Sequence, residues 1–119
     1  MKQSYKIYHQ FEKKLLIIGF GAIGQAIIPL IFRHLTIKPE QITILSKKTE
    51  GISLAKEHGV HFVTATLTKE NYADILNTHV QAGDFILNLS VDVSSADLIQ
   101  YCQSQRILYT DTCVFNMSA

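Results

Sequence analysis

The chain has almost no excess of charge of either sign: eleven Lys and Arg stand against ten Asp and Glu, a formal net charge of +1 over 119 residues. So balanced a surface sets up no field that would gather a polyanion, and the densest basic cluster, Lys47-Lys48, is too short to act as a polybasic segment. Nucleic acid and anionic membranes are therefore not expected partners. Long apolar runs are also missing. The stretch from Leu15 to Phe32 is interrupted by Gly19, Gly21, Gly24, Gln25 and Pro29, and it does not read as a membrane span. Residues 1–14 are polar and tyrosine-rich, without the apolar core of a secretory signal, so a cytoplasmic protein is expected. Cysteine is scarce as well. Cys102 and Cys113 do not form a C-x-x-C pair, and in a reducing compartment they are expected as free thiols. His58 and His61 are separated by the helix-ending Gly59 and would not share a face, so no metal site is expected.

What the chain does have is apolar material. Hydrophobic residues make up 47 % and charged residues 18 %, enough to bury both faces of a sheet within one compact domain. A single domain over residues 1–119 is expected, with 1–14 as a polar lead-in. Its most informative segment is Leu15-Leu16-Ile17-Ile18 running into Gly19-Phe20-Gly21-Ala22-Ile23-Gly24 and then an apolar helix to Leu35. A buried strand, G-x-G-x-x-G and a helix in that order read as a dinucleotide site. Gly19 permits the tight turn, Gly21 lets the backbone approach a pyrophosphate, and Gly24 lets the helix pack closely on the sheet. The amides that open the helix, at Ala22 and Ile23, then face the phosphates.

Further strands are predicted over 41–45, 60–64, 85–90 and 107–111, separated by helices over 52–58, from a Thr68 cap to Asn77, and from a Ser94 or Ser95 cap to about Ser104. Pro29 should bend the first helix, since it removes one backbone hydrogen bond. Strands alternating with helices predict an α/β fold: a Rossmann-like, doubly wound parallel sheet of about five strands in the order 3-2-1-4-5. In that order the first and fourth strands adjoin where the winding reverses, which puts Asn88, Leu89 and Ser90 beside the glycine loop.

The end of the second strand usually carries an acidic residue that holds the adenosine ribose in an NAD site; here it reads Ser46-Lys47-Lys48. A serine and two lysines could accept the 2′-phosphate of NADP, or the lysines could be solvated and Ser46 a neutral ribose contact. NAD and NADP both stay open. Asn88 and Ser90 are candidate contacts for the ribose or pyrophosphate. Asp92, Ser94 and Ser95 are expected to cap the following helix rather than to act in catalysis. Asp111-Thr112 ends the fifth strand on the same edge, either as a cofactor contact or as loop hydrogen bonding. No general acid or base stands where a nicotinamide would lie, so no catalytic residue is assigned.

Tyr8-His9-Gln10-Phe11, the glycine loop with Pro29-Leu30 and Arg33-His34, Glu70-Asn71-Tyr72, the block from Asn88 to Ser95, and Leu108-Tyr109-Thr110-Asp111-Thr112 together resemble the homospermidine synthases, of the saccharopine dehydrogenase-like group. The resemblance extends over nearly the whole chain. It implies an enzyme that keeps NAD bound and uses it as a hydride store: putrescine is oxidised to an imine, a second amine displaces ammonia, and the hydride returns. By that resemblance Gly19, Gly21 and Gly24 hold the pyrophosphate, and Asn88 and Ser90 meet the cofactor. The polyamine pocket of such enzymes lies in a larger C-terminal part. This sequence departs from the pattern at Ser46 and after Thr112, where Cys113 to Ala119 replaces an expected acidic residue, proline and tryptophan. The expectation is a dinucleotide-binding portion, inactive alone and able to self-associate. A nucleotide-sensing regulatory module, like those of potassium transport, and a remnant that binds nothing are the alternatives.

Overall fold

Leu15–Ile18 (β1) is buried at every position and forms the middle of a five-stranded parallel sheet. In this computed structural model, which describes residues 12–111, the other strands are Ile42–Ser46 (β2), His61–Thr64 (β3), Phe85–Asn88 (β4) and Leu108–Asp111 (β5). The sheet order is β3-β2-β1-β4-β5, the one expected from the alternation of elements. The helices are Ala22–His34 (α1), Ile52–Glu57 (α2), Tyr72–His79 (α3) and Ser95–Gln105 (α4), with a 3-10 turn at Pro39–Gln41. The lead-in segment Tyr8 to Phe11, Thr112 and Cys113 lie outside the described residues.

The period of two in β1 divides the interior into two layers. Leu16 and Ile18 pack with Leu76 and Val80 of the α3 side and with Leu98, Tyr101 and Cys102 of α4. Leu15 and Ile17 pack on the opposite face with Ile28 of α1, Ala55 of α2 and Ile44 of β2. Burying each large side chain contributes about 1.5–3 kcal/mol. Helices on both faces therefore follow from an uninterrupted apolar strand.

Two boundaries near the site differ from the sequence reading. β4 ends at Asn88, so Leu89 and Ser90 belong to the loop beyond it. α3 begins at Tyr72 and runs on to His79, because Thr68 closes its own turn instead. The Thr68 amide donates to Asn71 Oδ1 at 2.7 Å and the Asn71 amide donates to Thr68 Oγ1 at 3.2 Å, a reciprocal pair that holds residues 68–71 outside the helix. As expected, Pro29 lies inside α1, which continues to His34.

Two features fix the sheet against its loops. The buried Asp84 carboxylate accepts from the Lys14 amide at 3.0 Å and the Gln81 amide at 2.8 Å, tying the start of β1 to the turn that feeds β4. At the other end of β1, the Gly19 amide donates to Leu45 O at 2.7 Å and the Leu89 amide donates to Ile18 O at 2.8 Å. The glycine loop is thus held between the ends of β2 and β4.

Candidate functional site

The loop after β1 is shaped by close approach. Gly19 adopts φ +87°, and a Cβ there would lie 3.2 Å from Ser90 Cβ and 3.3 Å from the Ser90 amide. Phe20 turns inward, only 3 % exposed, with its ring edge-on to Phe62 at 6.1 Å. A Cβ on Gly24 would come within 2.9 Å of that ring and 3.3 Å of Leu89 Cδ1. The close packing expected at Gly24 is thus made against Phe20 and Leu89.

Gly21 behaves differently, because a Cβ on it would meet nothing within 4 Å. It is the N-cap of α1, it offers no side chain to the first turn, and that turn holds no acidic residue. The positive end of the helix dipole therefore opens uncapped, beside empty space. That combination is what an anionic pyrophosphate requires.

Gly21 borders a cleft of about 280 Å³ across the carboxyl ends of the strands. Gly19, Phe20, Leu89, Ser90 and Val91 form the wall on the β1 and β4 side. Ser46, Lys47, Lys48 and Glu50 form the wall after β2, with Ala65 and Leu67 beyond β3. Ser46 is buried, and its Oγ accepts from the Lys48 amide at 3.3 Å. Lys47 Nζ lies 3.0 Å from Asp92 Oδ1, an ion pair between the loops after β2 and β4.

Of the residues singled out in the sequence, Gly19, Gly21, Ser46, Lys47, Leu89 and Ser90 come together on this cleft. Ala22, Ile23 and Gly24 open α1 beside it without forming its walls. Asn88 and Asp111 do not line it and are buried, 1 % and 2 % exposed. The Asn88 carboxamide is used inside the protein: Oδ1 accepts from the Ser90 amide at 3.0 Å and Nδ2 donates to Tyr109 at 3.1 Å. The Tyr109 hydroxyl in turn donates to Asp111. Burial and this carboxylate push the Tyr109 phenol well above its ordinary value of 10. Asn88 thus supports the turn at Ser90, which does line the cleft, while Asp111 holds Tyr109 behind it.

The helix cap expected of Asp92, Ser94 or Ser95 belongs to Ser94, whose Oγ accepts from the Asp97 amide at 3.1 Å. Asp92 does not cap; its carboxylate faces Lys47, and its amide donates to Ser90 Oγ at 3.0 Å. Sequence reasoning missed Phe20, Glu50, Ala65, Leu67 and Val91 as cleft residues. Ala65 and Leu67 could have been found from the strand order, since β3 ends on the same edge as β2. His58 caps the end of α2 and stacks on Phe32 at 5.8 Å, while His61 begins β3 and is exposed. Among the described residues no group of three His, Cys, Asp or Glu could hold a metal ion, and no helix is long and apolar enough to cross a membrane.

Residues 15–118 match the family model of the saccharopine dehydrogenase NADP-binding domain. The chain belongs to that family. Within it, the chain is similar to the homospermidine synthases of Blastochloris viridis, 34 % identical over 113 residues, and Mesorhizobium japonicum, 34 % identical over 115 residues. These matches cover 92 % and 94 % of this chain and 24 % of each relative. The crystal structure of the homospermidine synthase of Legionella pneumophila in complex with NAD superposes with a TM-score of 0.83 at 34 % identity, covering 91 % of this chain and 23 % of that one. The chain thus spans about a quarter of the length of these relatives. It is an NAD(P)-binding domain of the homospermidine synthase-like type, with the α/β sheet of that domain.

Proposed function

We propose that this chain holds a dinucleotide for a homospermidine synthase-like reaction and does not carry out that reaction alone. The observation that supports the reading best is the uncapped amino end of α1 at Gly21, opening onto the cleft. Gly19 and Gly21, with the first amides of α1 at Ala22 and Ile23, would receive the pyrophosphate. Ser46 and the adjoining loop would meet the adenosine ribose, and Leu89 and Ser90 would bound the cofactor on the β4 side. Asn88 and Asp111 would act indirectly, through Ser90 and Tyr109.

A nicotinamide bound here would accept a hydride from an amine substrate and return it to an imine. This chain's own contribution is positional, fixing the pyrophosphate and the adenosine end. Oxidation of putrescine and condensation with a second amine need carboxylates and aromatic faces for the cationic substrate, and among the described residues the only such groups lining this cleft are Glu50, Asp92 and the inward Phe20. Exposed Ile23, Leu30, Val91 and Leu108 favour self-association, which light scattering across a concentration series would detect.

Calorimetric titration of the chain with NAD and NADP tests the reading, with Gly21→Val as the decisive variant. Its backbone, at φ −80° and ψ −154°, is extended and needs no left-handed conformation, so the variant should fold, with a melting temperature lowered only by the poorer helix cap that valine makes. The isopropyl group would fill the pyrophosphate space, and affinity should fall at least about tenfold. Absence of heat with either nucleotide on the unaltered chain would sink the proposal. Formation of homospermidine from putrescine by this chain alone would show that it does more than hold the cofactor.

A further inference from the structure

We propose that Asp92, through its ion pair with Lys47, sets the preference of this cleft toward NAD over NADP. The inference rests on the reading of the cleft as a dinucleotide site. The end of β2 supplies no carboxylate at Ser46-Lys47-Lys48. One arrives from the other side of β1: Asp92, in the loop after β4, reaches Lys47 Nζ at 3.0 Å, and both residues line the cleft. Because β2 and β4 flank β1 on opposite sides, the pair crosses the mouth of the cleft above the glycine loop.

The two partners are not equally fixed. Asp92 is held through its amide by Ser90 Oγ, the Ser90 amide is held by Asn88, and Asn88 is buried against Tyr109. Lys47 stands on a flexible stem with its side chain 48 % exposed, against 25 % for Asp92. The backbone of Asp92 is therefore the more firmly held, and the lysine reaches across to its carboxylate. A 2′-phosphate seeking Lys47 must compete with that carboxylate for it. A 2′-hydroxyl meets no such barrier and can donate to the carboxylate. Charges on this part of the cleft also cancel, with Lys47 and Lys48 against Glu50 and Asp92. Asp92 thus withholds from a 2′-phosphate the lysine that it engages.

The test is calorimetric titration of the full chain with NAD and NADP, for the unaltered protein, Asp92→Asn, Lys47→Gln, the double variant and Glu50→Gln, each first checked by thermal melting. The unaltered chain should bind NAD more tightly. Asp92→Asn should shift the ratio of the two dissociation constants toward NADP by about tenfold, and Lys47→Gln should shift it the other way. On the Lys47→Gln background the Asp92 effect should shrink, and high salt should weaken it in the single variant. A ratio unmoved by Asp92→Asn overturns the inference, as does an equal effect without Lys47, an equal shift from Glu50→Gln, or an unaltered chain that prefers NADP. Binding of neither nucleotide removes the dinucleotide reading itself and this inference with it. Binding of both at an unmoved ratio overturns the inference alone.

Discussion

Gly19 combines φ +87° with contact distances of 3.2 and 3.3 Å to Ser90 from a Cβ it does not have. Both the strain and the crowding oppose a side chain there. Gly19→Ala should therefore cost about 1–3 kcal/mol, measured as a lowered urea midpoint. Asn88 makes the complementary case. Its carboxamide is 1 % exposed and joins Ser90 to Tyr109, so Asn88→Ala should lose about 1–3 kcal/mol by the same measurement. It should also weaken nucleotide binding by loosening the turn at Ser90, although Asn88 does not line the cleft. The glycines were legible in the sequence because their spacing is local to one turn. The orientation of Asn88 was not. A polar residue at a strand end can face the ligand or the sheet, and here its hydrogen bonds with the Ser90 amide and the Tyr109 hydroxyl, 21 residues away, hold it inward. Asp92 was misread for the same reason, since its partner Lys47 lies 45 residues away.

Among the elements, α1 carries an exposed proline in its interior and nevertheless runs its full length to His34. Buried Gly24 and Ile28 hold the helix on the sheet, so packing outweighs the missing hydrogen bond to the Gln25 carbonyl. Pro29→Ala should restore that bond without losing any packing. The expected gain is about 2 kcal/mol after the added freedom of the unfolded chain, read as a higher midpoint in urea. β1 could be placed to the residue from its unbroken apolar run. The start of α3 could not, because Thr68 and Asn71 satisfy each other's amides in a turn that competes with the helix.

On the scale of the whole molecule, the strand order was legible because alternating strands and helices with right-handed crossovers leave few arrangements. The charged wall of the cleft was not, since Glu50 and Asp92 meet only after the sheet has formed. Global stability should carry a signature of His79, at the end of α3. Burial first, and then the charge of Lys14, lower its pKa below the ordinary 6.5. The unfolded chain therefore binds this proton more readily than the folded one, and stability should fall as the pH drops below about 6.5. His79→Gln should flatten that part of a pH series of thermal melts, and an unchanged slope would contradict the assignment. Finally, Phe20 sits in the middle of the glycine loop with its ring against Phe62, in space that a side chain on Gly24 or Gly51 would need. The loop thus carries its own anchor into the core. Its ordering entropy is lost during folding rather than on encounter with a nucleotide, so binding should proceed with little loop rearrangement and at a rate governed by diffusion into the cleft.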